Sequence, residues 1–313
     1  MKSRVHLTPL FNRSADASAA HEPQLAEFAE PSATGVHDKP IGRLMRDSMT
    51  LTEPQIDNVL AHQRLHGMRF GEAAVDLQYA TDDDVVWALS QQFHYPYAPS
   101  AHNAHPELVV AANPFGTEAE AFRELRSQLM MGVLAPDQPR RALAVLSPDV
   151  GDGKSYLVAN TAVAFSQLGG RTLLIDADMR TPRLHSLFGI GPVVTGLSSV
   201  LSGRTQTNVI QPVHDLPNLY MLPVGGSPPN PLELVQRPAF SLLMKELLGK
   251  FDHVLVDTPA ASHGADSRVI AAACGAALVI GRKGRSRMDA MTALLKALAK
   301  GPGHLAGVVM NEH

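Results

Sequence analysis

The run Ser147-Pro148-Asp149-Val150-Gly151-Asp152-Gly153-Lys154-Ser155, entered from the apolar Ala142-Leu143-Ala144-Val145-Leu146, constrains this chain more than any other segment. It reads as a buried strand turning through glycine into a helix amino terminus, the geometry of a phosphate-binding loop. Glycines at 151 and 153 let backbone N–H groups close around phosphate oxygens. Lys154 reaches the β and γ phosphates of a nucleoside triphosphate, and the Ser155 hydroxyl is a candidate magnesium ligand. Gly151, Asp152, Gly153, Lys154, Ser155 and the following Tyr156 are thus candidate nucleotide contacts, and Asn311, just past the last apolar strand, is a candidate contact to the base. The strict pattern wants glycine at 148, where proline stands, so the loop alone leaves an ordinary turn as the alternative.

Two further segments remove most of that ambiguity. Arg171-Thr172-Leu173-Leu174-Ile175-Asp176-Ala177-Asp178 and Asp252-His253-Val254-Leu255-Val256-Asp257-Thr258-Pro259 are apolar runs that end on carboxylates, as buried parallel strands do when they carry acids to the carboxyl edge of a sheet. One such acid alone is ordinarily a helix cap or a solvated loop residue. Together with the loop, they place Asp176, Asp178 and Asp257 where magnesium, which takes one or two protein carboxylates beside substrate phosphates, would sit.

Composition sets the outer limits. The 313 residues with 45% apolar content suffice for a sizeable core and two domains. A formal charge of -3 argues against nucleic acid as main partner, and the basic stretch Arg282-Lys283-Gly284-Arg285-Ser286-Arg287 reads as a solvated loop. The single cysteine, Cys274, excludes a disulfide framework and fits a reducing cytoplasm. With no long apolar stretch, membrane association is expected only peripherally, through a partner. His62 and His66 lack a third ligand nearby in sequence, so a zinc site is not expected.

The expected organisation is a disordered tail over 1–37, a helical tandem-repeat domain over 38–100, a linker over 101–116 and a P-loop domain over 117–313. In the repeat, Ile41-Gly42 answers Phe70-Gly71, Asp47 answers Asp76, Thr52 answers Thr81 and Leu60 answers Leu89, each 29 positions on. Thr52 and Thr81 read as helix amino caps, and Asp82, Asp83 and Asp84 as first-turn acids favoured by the helix dipole. From 117 on, the alternation of strands and helices predicts a doubly wound, mainly parallel α/β sheet flanked by helices. Its first helix carries Glu120, Arg123 and Arg126 on one face and Phe122, Leu125 and Leu129 on another.

The ordered set of Glu120-x-x-Arg123-x-x-Arg126, Gly153-Lys154-Ser155, Asp176-Ala177-Asp178-Met179-Arg180, Pro182 with Leu184-His185, Asn230-Pro231 with Glu233-Leu234, and Asp257-Thr258-Pro259 resembles a bacterial tyrosine kinase of the exopolysaccharide chain-length type. The resemblance runs from about Thr117 to Asn311. The preceding repeat resembles the amino-terminal module of type II secretion ATPases, and the combination resembles the EpsG-like subgroup, whose kinase is separate from its membrane-embedded chain-length-determinant activator. This implies ATP and magnesium as cofactors, Lys154, Asp176 and Asp178 as catalytic residues, and Ser155, Asp178 and Asp257 as metal ligands, with Asp176 as the candidate base. It also implies a homo-oligomer built through Glu120, Arg123 and Arg126. Some of the secretion modules bind cyclic di-GMP; Arg69-Phe70-Gly71 fits their motif, whereas Pro40-Ile41-Gly42 loses its arginine.

Members of that family usually continue into a tyrosine-rich tail; Tyr79, Tyr95, Tyr97, Tyr156 and Tyr220 form no such cluster after the last strand, so tail autophosphorylation is not expected. Tyr95 and Tyr97 are the candidate acceptors on this chain. Two alternatives stand beside the kinase: a partitioning or positioning ATPase, against which Asp149 counts because such switches carry lysine there, and a nucleotide-gated scaffold of a polysaccharide exporter.

Overall fold

The computed structural model describes residues 6–8, 41–47, 51–92, 105–191, 195–204 and 209–312. The chain divides into two compact units, Phe11–Tyr97 and Met1–Leu10 with Ala98–His313. In the smaller unit, helices α1 (Ile41–Asp47) and α2 (Glu53–His66) are followed by α3 (Phe70–Asp76) and α4 (Asp82–Gln92). The first and third start and stop 29 residues apart, so the sequence period is a period of structure. Each pair turns on the same device: the Thr52 N–H donates to Gln55 Oε1 at 2.9 Å, and the Thr81 N–H to Asp84 Oδ2 at 2.8 Å, with the Asp84 N–H returning a bond to Thr81 Oγ1. A β-carbon at Gly71 would stand 2.5 Å from Cγ1 of Val85, and one at Gly42 3.1 Å from the Phe70 ring. The glycines of the repeated triplets are therefore required by close helix packing around Met45, Val59, Ala73 and Ala88.

The larger unit holds β1 (His6–Thr8), α5 (Val109–Ala112), α6 (Thr117–Met131), β2 (Ala142–Leu146), α7 (Lys154–Ser166), β3 (Thr172–Asp176), α8 (Leu184–Leu187) and α9 (Leu197–Leu201). It continues through β4 (Gln211–Pro212), β5 (Leu219–Leu222), α10 (Pro231–Gln236), α11 (Pro238–Lys250), β6 (His253–Asp257), α12 (Asp266–Cys274), β7 (Gly275–Arg282), α13 (Met288–Ala299) and β8 (His304–Asn311). The strands form one sheet in the order β1-β8-β7-β2-β6-β3-β5-β4, parallel except where β1 and β4 pair antiparallel at the two edges.

The central strands are buried on both faces, and the period of two along them divides the core. Ala142, Ala144, Leu173, Ile175, Val254 and Val256 face one apolar layer, covered by α9 to α13. Leu143, Val145, Leu174, Leu255 and Leu278 face the other, covered by α5 to α8. This is the doubly wound α/β architecture that the alternation predicts. Cys274 closes α12 inside the first layer, where burial pushes its thiol well above the ordinary range.

Two expectations about chain organisation are corrected. Of the tail assigned to 1–37, the structure describes His6–Thr8, and these form an edge strand paired with Val308, Val309 and Met310. Within the linker assigned to 101–116, residues 105–116 are packed rather than extended, with Leu108, Val110 and Ala111 buried. The cause is Asn160, fully buried in α7, whose Oδ1 accepts the Val110 N–H at 3.1 Å while its Nδ2 donates to the Glu107 carbonyl at 2.7 Å. Prolines and asparagines flanking a four-residue helix hid that packing. Tyr95 and Tyr97 lie outside the described residues.

Candidate active site

Parallel neighbours β2, β6 and β3 end level with one another: Val145 is paired with Asp257, and Asp257 with Asp176. The sheet thus delivers the glycine loop and two acids to one carboxyl rim, the place where open α/β sheets bind ligands. The loop itself turns at Gly151 (φ 83°) and Gly153 (φ 101°), left-handed conformations that a β-carbon disfavours, and Gly153 starts α7 with Lys154 as first residue.

Lys154 is 6% exposed and lies close enough to Asp257 for its charge to pull that carboxyl's pKa down. Ser155 Oγ donates to Asp257 Oδ2 at 2.6 Å. The other oxygen, Oδ1, is buried with no hydrogen-bond partner among the described residues. Burial, with a smaller push from the charge of Asp178, raises Asp257 to about 7 against the opposing pull of Ser155 and Lys154. Asp176 is fully buried, its Oδ1 accepting the Asp178 N–H at 3.2 Å and its Oδ2 the Leu184 N–H at 3.3 Å. Burial first, then the charges of Asp257 and Asp178, hold it well above the usual carboxylate range. Asp178 is 2% exposed and spans its own turn, accepting the Arg180 and Thr181 N–H groups on Oδ1 and the Thr181 hydroxyl on Oδ2.

The structure therefore brings together Lys154, Ser155, Asp176, Asp178 and Asp257. Oxygen donors only, one of them an orphaned carboxylate oxygen, suit a hard cation such as magnesium. Among the described residues no group of three His, Cys, Asp or Glu side chains could hold a metal by itself, so such an ion needs phosphate and water oxygens too.

Asp152 has a different place from the one its position in the loop suggests. It is fully buried, with Oδ2 accepting the Asp149 N–H at 2.9 Å and Oδ1 accepting the Ser286 hydroxyl at 2.7 Å. The loop from β7 to α13 is thereby fastened to the phosphate loop, and two more bonds reinforce it: Arg282 Nη1 donates to the Gly151 carbonyl at 3.3 Å, and the Lys283 N–H to the Asn311 carbonyl at 2.8 Å. Asn311 joins from β8, its Nδ2 donating to the Asp152 carbonyl at 3.1 Å. The basic stretch read as a plain solvated loop is thus a brace on the nucleotide loop. Tyr156 is half-buried, edge-on to Phe122, and burial raises its phenol above the ordinary range.

Sequence reading also missed Asp266, buried at the start of α12, whose two oxygens accept from Arg180 Nη2 at 3.2 and 3.1 Å. This ties the turn after β3 to α12, and its partners are 86 residues apart. On α6, Arg123 pairs with Glu120 at 2.8 Å and donates to the Pro114 carbonyl, and Arg126 donates to the Ala164 carbonyl at 2.6 Å.

No protein-family model matches the chain. CapB of Staphylococcus aureus, named as a tyrosine-protein kinase, is 33% identical over 206 residues, 66% of this chain and 89% of that protein. The tyrosine-protein kinase CpsD of Streptococcus agalactiae is 28% identical over 193 residues, 62% of this chain and 82% of that protein. Among solved structures, the chimerical protein CapA2B2 superposes with a TM-score of 0.61 at 31% identity, covering 65% of this chain and 88% of that one. The kinase domain of the Escherichia coli tyrosine kinase ETK gives 0.61 at 27% identity, covering 65% and 79%. The chain belongs to the family of bacterial tyrosine-protein kinases.

Proposed function

We propose that this chain uses MgATP to phosphorylate protein tyrosines and so regulates exopolysaccharide polymerisation, chain length or export. The observation that carries the reading is the meeting of Lys154, Ser155 and the half-satisfied carboxylate of Asp257 at one rim. Ser155, Asp257 and Asp178 would hold magnesium, directly or through water, and the ion when bound neutralises charge on the phosphates. Lys154 neutralises the transferring phosphoryl group, and the loop N–H groups from Gly151 to Ser155 fix its position. Asp176 is the proposed base, because burial and the like charges of Asp257 and Asp178 raise its carboxyl above the usual range and so make its carboxylate a stronger proton acceptor. Its carboxyl is fully buried and bonded to the Asp178 and Leu184 N–H groups, so the turn from Asp178 to Leu184 has to loosen for a tyrosine hydroxyl to reach it.

The EpsG-like assignment, the membrane-embedded activator, peripheral placement at the inner membrane and self-assembly through Glu120, Arg123 and Arg126 belong to the same proposal. Among the described residues no helix is long and apolar enough to cross a membrane. For the helical repeat we favour protein docking over cyclic di-GMP, since packing alone accounts for Gly42 and Gly71. Calorimetric titration of the full chain with cyclic di-GMP tests that choice, and heat at micromolar ligand reverses it.

The decisive experiment for the function is incubation with γ-labelled ATP and magnesium followed by phosphotyrosine mapping. Label on tyrosine is expected with the wild type, with turnover lower by about a thousandfold in Lys154→Ala. Label released only to water would favour the ATPase or scaffold reading.

A further inference from the structure

The loop that braces the phosphate loop carries four cations, and three of them are committed. Arg282 donates to the Gly151 carbonyl, Lys283 pairs with Glu312 at 2.9 Å, and Arg287 pairs with Asp289. Arg285 differs. Among the described residues its guanidinium has no hydrogen bond and no carboxylate partner, and it is exposed. Yet it does not trail into solvent. It fills the space a β-carbon at Gly151 would need, with Nη1 3.1 Å and Cζ and Nη2 3.3 Å from that position.

This placement is held from several sides. The Arg285 N–H donates to the Arg282 carbonyl at 3.1 Å, the Ser286 N–H to the same carbonyl at 2.9 Å, and the Ser286 hydroxyl to Asp152 Oδ1. The backbone bearing Arg285 is therefore pinned to the same loop whose N–H groups point at phosphate. A guanidinium is always charged and presents five N–H donors, so one resting against an anion-binding loop without a counterion lacks the group it is built to pair with.

We propose that Arg285 is a second phosphate-binding cation of the nucleotide site, acting from the flank of the loop on the β- and γ-phosphate end of ATP while Lys154 acts from within it. This rests on the nucleotide-site reading given above. It also gives Gly151 a second reason to be glycine: a side chain there would displace the guanidinium as well as strain a φ of 83°.

The test measures binding of MgADP and of inorganic tripolyphosphate to the full chain by calorimetry, for the wild type, Arg285→Ala, Arg285→Lys and Lys154→Ala. Arg285→Ala is expected to weaken both ligands about tenfold, the loss of one charge-assisted contact, and Arg285→Lys to recover part of it. Being exposed, Arg285 is replaceable without loss of fold, which an unchanged melting temperature checks. Undiminished affinity in Arg285→Ala overturns the inference. So does a loss for MgADP with none for tripolyphosphate, which would put the guanidinium on the base or ribose. If Lys154→Ala binds MgADP as the wild type does, the nucleotide-site reading itself falls, a failure distinct from that of Arg285.

Discussion

The phosphate loop and the segment from β6 to α12 share one rim but differ in how their polar groups are settled. In the loop, Asp152 is buried with both oxygens bonded, and Ser147, Asn311 and Arg282 each donate to a loop carbonyl. In the other segment, Asp257 Oδ1, His263 Nδ1 and Ser267 Oγ are buried without hydrogen-bond partners among the described residues. An unsatisfied buried polar atom costs on the order of 1 to 3 kcal/mol, so this chain tolerates cost on one side of its site and none on the other. The loop's polar groups are thus settled by the chain's own residues, and the Asp257 oxygen is the one that the proposed magnesium would complete.

Asp257 should break or sustain that contrast most forcefully. Asp257→Ala is expected to lower kcat about a hundredfold, through loss of an oxygen proposed to hold magnesium. Its titration carries a sign that can be checked without activity. Because the folded pKa, about 7, lies above the ordinary 3.8, the folded state keeps a proton that the unfolded state has released. Stability from this group is complete below about pH 4 and is lost as pH rises towards 7. Asp257→Asn, which does not ionise, should therefore melt higher than the wild type at pH 8 without nucleotide, with the gap closing towards pH 5. Equal melting profiles would mean that the site is not under strain from this carboxylate.

Asp152→Ala attacks the settled side. Two part-buried donors, the Asp149 N–H and the Ser286 hydroxyl, lose their acceptor, so the cost is about 2 kcal/mol of unfolding free energy with a matching loss of nucleotide affinity. Ser286→Ala is the mildest change, expected to cost about 1 kcal/mol by denaturant unfolding and to raise KM for ATP a few-fold. Were Ser286→Ala to hurt binding more than Asp152→Ala, the brace would not act through the aspartate.

What the sequence disclosed follows from which interactions are local. The strand ends at Asp176 and Asp257 and the turn at Gly151 and Gly153 are written in contiguous residues, and the mainly parallel, doubly wound sheet is legible in apolar runs alternating with helices. The repeat is equally local, its caps formed by residues three apart. The bond from Ser286 to Asp152 joins residues 134 apart, and the pair of Arg180 with Asp266 joins residues 86 apart. No spacing rule reaches across such intervals. That is why Asp152 reads as one more nucleotide contact and the basic stretch as a solvated loop. The packed helix at 109–112 was hidden for the same reason, since only Asn160 in α7 reveals why a short apolar patch there is fixed.

The lone thiol at the end of α12 offers an independent handle on all of this. Cys274 is 2% exposed, and its sulfur stays protonated well into alkaline solution, so an aromatic disulfide reagent can modify it only when the layer over it parts. Its modification rate is a clock for opening of the layer beneath the helix that Asp266 starts, read in a chain with no competing sulfhydryl. Nucleotide that draws Asp257 and the neighbouring turn together should slow that clock, a purely chemical record of site closure that needs no phosphotransfer.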